Sequence, residues 1–117
     1  MELQTIQEMN KSNAILINDK KGSGGAYHSY IICHARDKDR DETRTNIKFQ
    51  TGAMDTEGFR GGVLDVDLLE ICRHRLQSFQ KGDFATRENA IALTHIEEAL
   101  LWLNKSCLLY TSPSPRD

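Results

Sequence analysis

Hydrophobic and polar positions divide this chain near residue 65. From Asp65 to Asn104 apolar residues recur at helical spacing in two runs. Leu68, Leu69, Cys72, Leu76 and Phe79 form the first stripe, and Ile91, Leu93, Ile96, Leu100 and Leu103 the second. Upstream, the pattern is short, polar and alternating, with a period near two and breaks at glycine or charge. The expectation is an α+β protein: a small N-terminal antiparallel β-sheet followed by an antiparallel αα-hairpin.

The upstream elements follow in order. Residues 1–12 are polar and weakly periodic, either a short lead-in or disordered. Asn13–Asn18 is an apolar run of strand length. Asp19–Gly25 (DKKGSGG) suits a turn, because glycine reaches positive φ at little cost. A glycine-rich phosphate loop would end in Gly-Lys-Ser/Thr and open a helix. Neither follows here, so a hairpin connection fits better. Ala26–Ala35 reads as a strand with His28, Tyr30 and Ile32 on one face and Tyr27, Ser29, Ile31 and Cys33 on the other. Tyr27 and His28 suit a half-buried sheet face, or a polar-aromatic wall beside a ligand. Arg36–Arg44 is a mixed-charge loop. Thr45–Thr51 alternates again, with Ile47 and Phe49 inward and Asn46, Lys48 and Gln50 outward. Gly52–Gly62 carries the chain from sheet to helix, with room for a short strand at Gly62–Leu64.

The first helix is expected to start at Asp65, a good N-cap, with acidic residues early and Arg73 and Arg75 later, as the helix dipole prefers. Lys81-Gly82-Asp83 is expected to end it, Gly82 taking a left-handed turn. The second helix starts between Asp83 and Thr86, either of which can cap. A three-residue joint makes the pair antiparallel. Ile71, Leu101 and Trp102 lie off the main stripes, which suggests packing against both a sheet and another subunit. The last ten residues, LLYTSPSPRD, lose all periodicity. They are similar to translated adapter read-through, which places a non-native tail at 108–117.

Composition narrows the function classes. A chain of 117 residues suits one small domain, and a net charge of -2 with a pI of about 6.1 argues against general nucleic-acid binding. No apolar run reaches about 18 residues, so no membrane span is expected. The N-terminus is mixed in charge with no signal-peptide core. Three cysteines, Cys33, Cys72 and Cys107, without short spacings fit a reduced cytosolic chain. Cys33-His34 and Cys72-Arg73-His74 suggest zinc, but no CxxC or HxxxH pattern supports it.

Several motifs in order then resemble a known family. They are Asn46-Ile47-x-Phe49-Gln50-x-Gly52, Asp67-Leu68-Leu69, His74-Arg75-Leu76-x-x-Phe79 and Phe84-x-x-Arg87-Glu88-Asn89-Ala90. Thr94, Glu97-Glu98-Ala99-Leu100 and Trp102-Leu103-Asn104-Lys105 follow. Over residues 13–105 the chain resembles the phage Thoeris anti-defence proteins. It shares their helical hairpin with the anti-CBASS cyclic-nucleotide sponges. The resemblance implies a sponge domain at 13–107, with the sheet at 13–64 and the hairpin at 65–105. Such a protein is no enzyme and needs no cofactor. It acts in the host bacterial cytoplasm, where it sequesters glycocyclic ADP-ribose and, in some members, cyclic di- or trinucleotides. The implied assembly is a homodimer that can reach a homohexamer, a trimer of dimers, with neither DNA nor membrane as partner.

By position, the resemblance makes Phe79 the base-stacking aromatic and Asn89 its polar partner. Arg87 and Thr94 match positions of a cyclic-oligonucleotide site on a three-fold axis. The family's arginine after Asn-Lys is replaced here by Ser106, which predicts weaker phosphate grip. The chemistry agrees in outline. A base stacked on an aromatic ring gains about 1–3 kcal/mol. Arginine presents a planar fork to phosphate, and helix-start amides favour anions. Arg73 and Arg75 could add charge from the first helix, though a solvated face suits them equally well. Taken singly, however, Phe79 reads as a core residue closing the hairpin, and Arg87 and Asn89 as ordinary helix-start residues.

Two other classes compete. A nucleotide-degrading enzyme would need acid–base work from His28, His34, His74 or His95, and no nucleophile or metal motif accompanies them. A helical-hairpin adaptor or DNA-binding module would present Glu88, Glu97 and Glu98 to a phosphate backbone, which they fit poorly.

Overall fold

The computed structural model describes residues 1–6, 13–34, 44–51 and 61–111. The chain forms two compact units, Met1–Leu64 and Asp65–Asp117. The first holds strands β1 (Ala14–Ile17), β2 (Ser29–Cys33) and β3 (Arg44–Lys48), and the second holds helices α1 (Asp65–Gln80) and α2 (Arg87–Thr111). The α+β class and the sheet-then-hairpin order are therefore as the patterning predicts.

The sheet is antiparallel with order β1-β2-β3. Its register sets Ile15 opposite Ile32, Ile17 opposite Tyr30, and Tyr30 opposite Ile47. Directly opposed residues project to the same face. Ile15, Ile17, Tyr30, Ile32 and Ile47 thus share one apolar face, and the Tyr30 and Phe49 rings meet edge-on at 5.7 Å. The expected alternation of β2 and of Ile47 and Phe49 holds. Asn46 and Lys48 are exposed, but Gln50 is half-buried rather than outward. Its amide donates to the Val63 carbonyl while the Val63 amide donates to that of Lys48. This parallel bridge between Phe49 and Val63 is the short pairing anticipated near Gly62–Leu64. Gly62 is needed there, because an added Cβ would sit 2.5 Å from the Lys48 carbonyl oxygen and 2.7 Å from the Phe49 carbonyl carbon.

The β1–β2 connection is a hairpin loop and opens no α-helix. Gly24 and Gly25 adopt φ of 73° and 78°, the left-handed region that other residues seldom occupy. The His28 amide donates to Asp19 Oδ2 at 3.0 Å and ties the base of the loop. Met1–Leu3 runs beside β1: the Leu3 amide donates to the Ile15 carbonyl, and the Ile17 amide to that of Met1. The mixed-charge loop Arg36–Arg44 lies, except for Arg44, outside the described residues, as does most of Gly52–Gly62.

In the hairpin unit, Gln80 meets Thr86 and Arg73 meets Glu97. Partners that move apart in sequence as they leave the joint make the helices antiparallel. The facing seam is Val66, Leu69, Arg73, Leu76 and Gln80 against Asn89, Leu93, Ile96, Leu100 and Leu103, all half-buried or buried. Leu100 is the one buried apolar side chain among the described residues, 6% exposed. Two stripe positions differ from expectation. Cys72 is exposed and Arg73 takes its place in the seam, and Ile91 faces outward. Ile71, Leu101 and Trp102 are exposed within the unit, off the stripes as expected.

Arg73 Nε donates to Glu97 Oε2 at 2.9 Å, and its Nη1 lies 3.4 Å from Glu70. The hydrogen bond to Glu97 is the main cause that holds the guanidinium above its already high ordinary pKa. It remains charged across the physiological range. The pair is partly exposed, so it contributes direction more than strength.

Candidate functional site at the hairpin joint

The joint spans Lys81–Thr86, six residues rather than three. α1 does not end in a left-handed glycine. Instead the Lys81 amide donates to the Ser78 carbonyl and the Gly82 amide to that of Phe79, two tight three-residue closures. Asp65 is the first helical residue of α1, one place inside the expected cap position. At α2 the choice between Asp83 and Thr86 resolves to Thr86, whose Oγ1 accepts from the Asn89 amide at 3.0 Å. Asn89 returns the bond through Nδ2 to the Phe84 carbonyl at 3.2 Å. Gln80 grips the joint from α1: its Oε1 accepts from the Thr86 amide and its Nε2 donates to the Thr86 carbonyl, both at 3.1 Å. The amides of Arg87 and Glu88 are left without an acceptor among the described residues.

Removing the cap should be measurable. Thr86→Ala is expected to cost about 1 kcal/mol of stability. Thr86→Ser should restore most of it in a denaturant titration, since serine keeps the accepting oxygen.

An aromatic corner sits on this frame. The rings of Phe79 and Phe84 meet edge-to-face, centroids 6.0 Å apart at 90°. The Arg75 guanidinium carbon lies 5.4 Å from the Phe79 centroid, within cation–π range. Phe79 is half-buried, while Phe84 is 70% exposed. The corner presents one guanidinium and two rings at an exposed helix junction, with the Arg87 side chain exposed one residue beyond the cap. This is chemistry for a flat base and an anionic group. It contains no aligned nucleophile.

Among the residues singled out from sequence, Phe79, Arg75, Asn89 and Arg87 cluster at the joint. Asn89 carries a structural duty there as well. Thr94 is exposed on α2, two turns on from Arg87 and on the same face, about 10 Å along the axis. Tyr27 and His28 belong to the sheet unit, both half-buried beside the β1–β2 loop. Sequence alone gives Phe84 no site role, although a large apolar residue in an otherwise polar joint is a signal for one. Lys105 Nζ lies 5.5 Å from the Trp102 ring at the opposite end of the hairpin.

Of the four histidines, His28 and His34 belong to the sheet unit and His74 and His95 to the hairpin unit. His34 bonds Thr45 within the sheet unit, and His95 approaches Glu98 at 3.6 Å on exposed α2. Among the described residues no three His, Cys, Asp or Glu side chains gather as a metal site. No helix among them is long and apolar enough to cross a membrane.

Residues 41–107 match the model of the Acb2/Tad1 hairpin domain, more than half of the chain. The chain belongs to the Acb2/Tad1 hairpin-domain family. A protein named Thoeris anti-defense 1, from Bacillus phage SBSphiJ7, is 49% identical over 59 residues, which are 50% of this chain and 41% of that protein. The match thus spans about two fifths of its curated relative's length. The family's hairpin domain encloses the whole joint, from Phe79 through Asn89, along with both helix seams.

Proposed function

We propose that this Acb2/Tad1-family chain is a phage anti-defence sponge. It binds a nucleotide immune signal, glycocyclic ADP-ribose, and withholds it from the Thoeris effector without cleaving it. The relative named for Thoeris anti-defence supports the biological role. The observation that carries the chemistry is the joint itself: Phe79 and Phe84 as ring faces, Arg75 over Phe79, and Asn89 at the start of α2 bonded to the Phe84 carbonyl. Adenine suits the rings, and pyrophosphate suits the guanidinium and the helix start. Ser106, where an arginine is expected, makes the far end of the hairpin a weaker anion grip. In the proposed assembly, two or more copies cover the exposed Ile71, Leu101 and Trp102, and they act in the host cytoplasm.

The test is direct. Protein is incubated with glycocyclic ADP-ribose and denatured, and the released small molecule is chromatographed. Recovery of the intact nucleotide in stoichiometric amount is expected. A linear product means a degradative enzyme, and no retained nucleotide at all removes the ligand assignment.

Arg87 and Thr94 are proposed to serve cyclic di- or trinucleotides at a separate site built by several copies. Arg87→Ala is expected to reduce affinity for a cyclic trinucleotide about tenfold or more. It should change glycocyclic ADP-ribose binding by less than about threefold, since losing a charge-assisted hydrogen bond costs roughly 1.5–3 kcal/mol only where the bond is made. Calorimetry with both ligands separates the two sites, and equal losses would merge them.

A further inference from the structure

The strongest unexplained arrangement is the grip of Gln80 on Thr86. A side-chain amide at the last residue of α1 holds both the N–H and the C=O of the residue that caps α2. Without Gln80, the Thr86 carbonyl would still accept from the Ala90 amide at 3.1 Å as the first rung of α2, and Thr86 Oγ1 would still cap the Asn89 amide. The helix therefore has its own start. Gln80 adds something else. It fixes where that start lies relative to the end of α1, one residue from Phe79.

Between the two gripped ends runs Lys81–Ala85, which carries Phe84. The Phe84 carbonyl is held by Asn89 and its ring meets Phe79 edge-on. Every residue of this segment is exposed. Burial does little to position it, so hydrogen bonds must. Gln80 at one side and Asn89 at the other close the segment into a fixed loop.

We infer that Gln80 is a positioning residue for the nucleotide site: it holds Phe84, Asn89 and the first amides of α2 in the geometry that receives the ligand. This rests on the sponge reading above. A chain lacking the grip populates the competent joint only part of the time, and apparent affinity falls by that fraction. The loss then appears chiefly in the association step, because the bound complex keeps the same ligand contacts.

The experiment uses the full chain with wild type, Gln80→Ala and Gln80→Glu, and glycocyclic ADP-ribose as the probe. Stopped-flow binding gives both rate constants, and amide exchange of the free protein reports the joint. Expected are an affinity loss of about tenfold for Gln80→Ala, mostly in association rate, and faster exchange at Thr86 with α1 and α2 otherwise protected. Gln80→Glu keeps the acceptor for the Thr86 amide but loses the donor to its carbonyl, and should fall between the two. Wild-type affinity in Gln80→Ala overturns the inference while leaving the sponge intact. A loss carried wholly by dissociation makes Gln80 a direct contact and overturns it as well. Absence of binding by the wild type removes the sponge reading and this inference together. General exchange across both helices in Gln80→Ala would make the residue merely structural, again against the inference.

Discussion

Phe79→Ala is expected to weaken glycocyclic ADP-ribose binding by roughly 5- to 150-fold, the loss of about 1–3 kcal/mol of base stacking. Two terms combine in this one residue. Its ring is the half-buried member of the aromatic corner, so it offers a surface and also supports Phe84 edge-on. It also anchors the Arg75 guanidinium. Truncation therefore removes the platform and frees a cation at once. Asn89→Ala should weaken binding too, through release of the Phe84 carbonyl. Titration calorimetry is the measurement, with circular dichroism to confirm that both helices persist. Unchanged affinity in both variants would place the ligand away from the joint.

Leu100→Ala is expected to be the most damaging single change to stability, at about 2–4 kcal/mol. Leu100 is the most enclosed apolar side chain described, in a seam whose other members are only half-buried. A thin core concentrates its energy in few residues, and each kilocalorie lost shifts the melting temperature of a small domain by roughly 4–8 °C. Thermal denaturation should show a fall of at least about 8 °C. Thr94→Ala, exposed on the same helix, should stay within about 0.5 kcal/mol of wild type. A comparable loss in both would mean that the outer face of α2 is covered as tightly as its seam.

Much of the architecture is legible in the sequence because periodicity reports burial directly. Period two gave β2 and β3 to within a few residues, and helical spacing gave both helices. The misses have local causes. Leu69 and Leu76 flank both position 72 and position 73 at helical spacings of three and four. Hydrophobicity alone selects Cys72. The structure selects Arg73, whose aliphatic stem can lie in the seam while its head reaches Glu97. Ile91 fails for a similar reason, since the spacing of Asn89, Leu93, Ile96 and Leu100 admits the polar Asn89 into the seam and leaves Ile91 outside. Gly82 satisfies the sequence rule for a left-handed stop, yet its amide closes on the Phe79 carbonyl and no left-handed turn forms. α2 also runs on to Thr111, past the loss of periodicity at residue 108. A helix, once started, propagates beyond the residues that justify it.

The candidate site is legible in part. Phe79, Asn89 and Arg87 could be placed at one joint from their motif alone. Gln80 and Phe84 could not be assigned a role, because a grip across six residues and a ring-on-ring contact depend on the path of the joint, which no periodicity encodes.

The Arg73–Glu97 pair has one more consequence. It sits midway along a seam whose neighbouring members, Leu69, Leu76, Leu93, Ile96 and Leu100, are interchangeable aliphatic side chains, which by themselves tolerate sliding. Slippage of α2 by one turn, about 5.4 Å, would set the Arg73 head against Leu93 or Leu100 and leave Glu97 without its cation. Such a shift strands a charge beside hydrocarbon. The pair thus acts less as glue than as a key cut for a single lock position, and the length of the joint is the tooth that matches it.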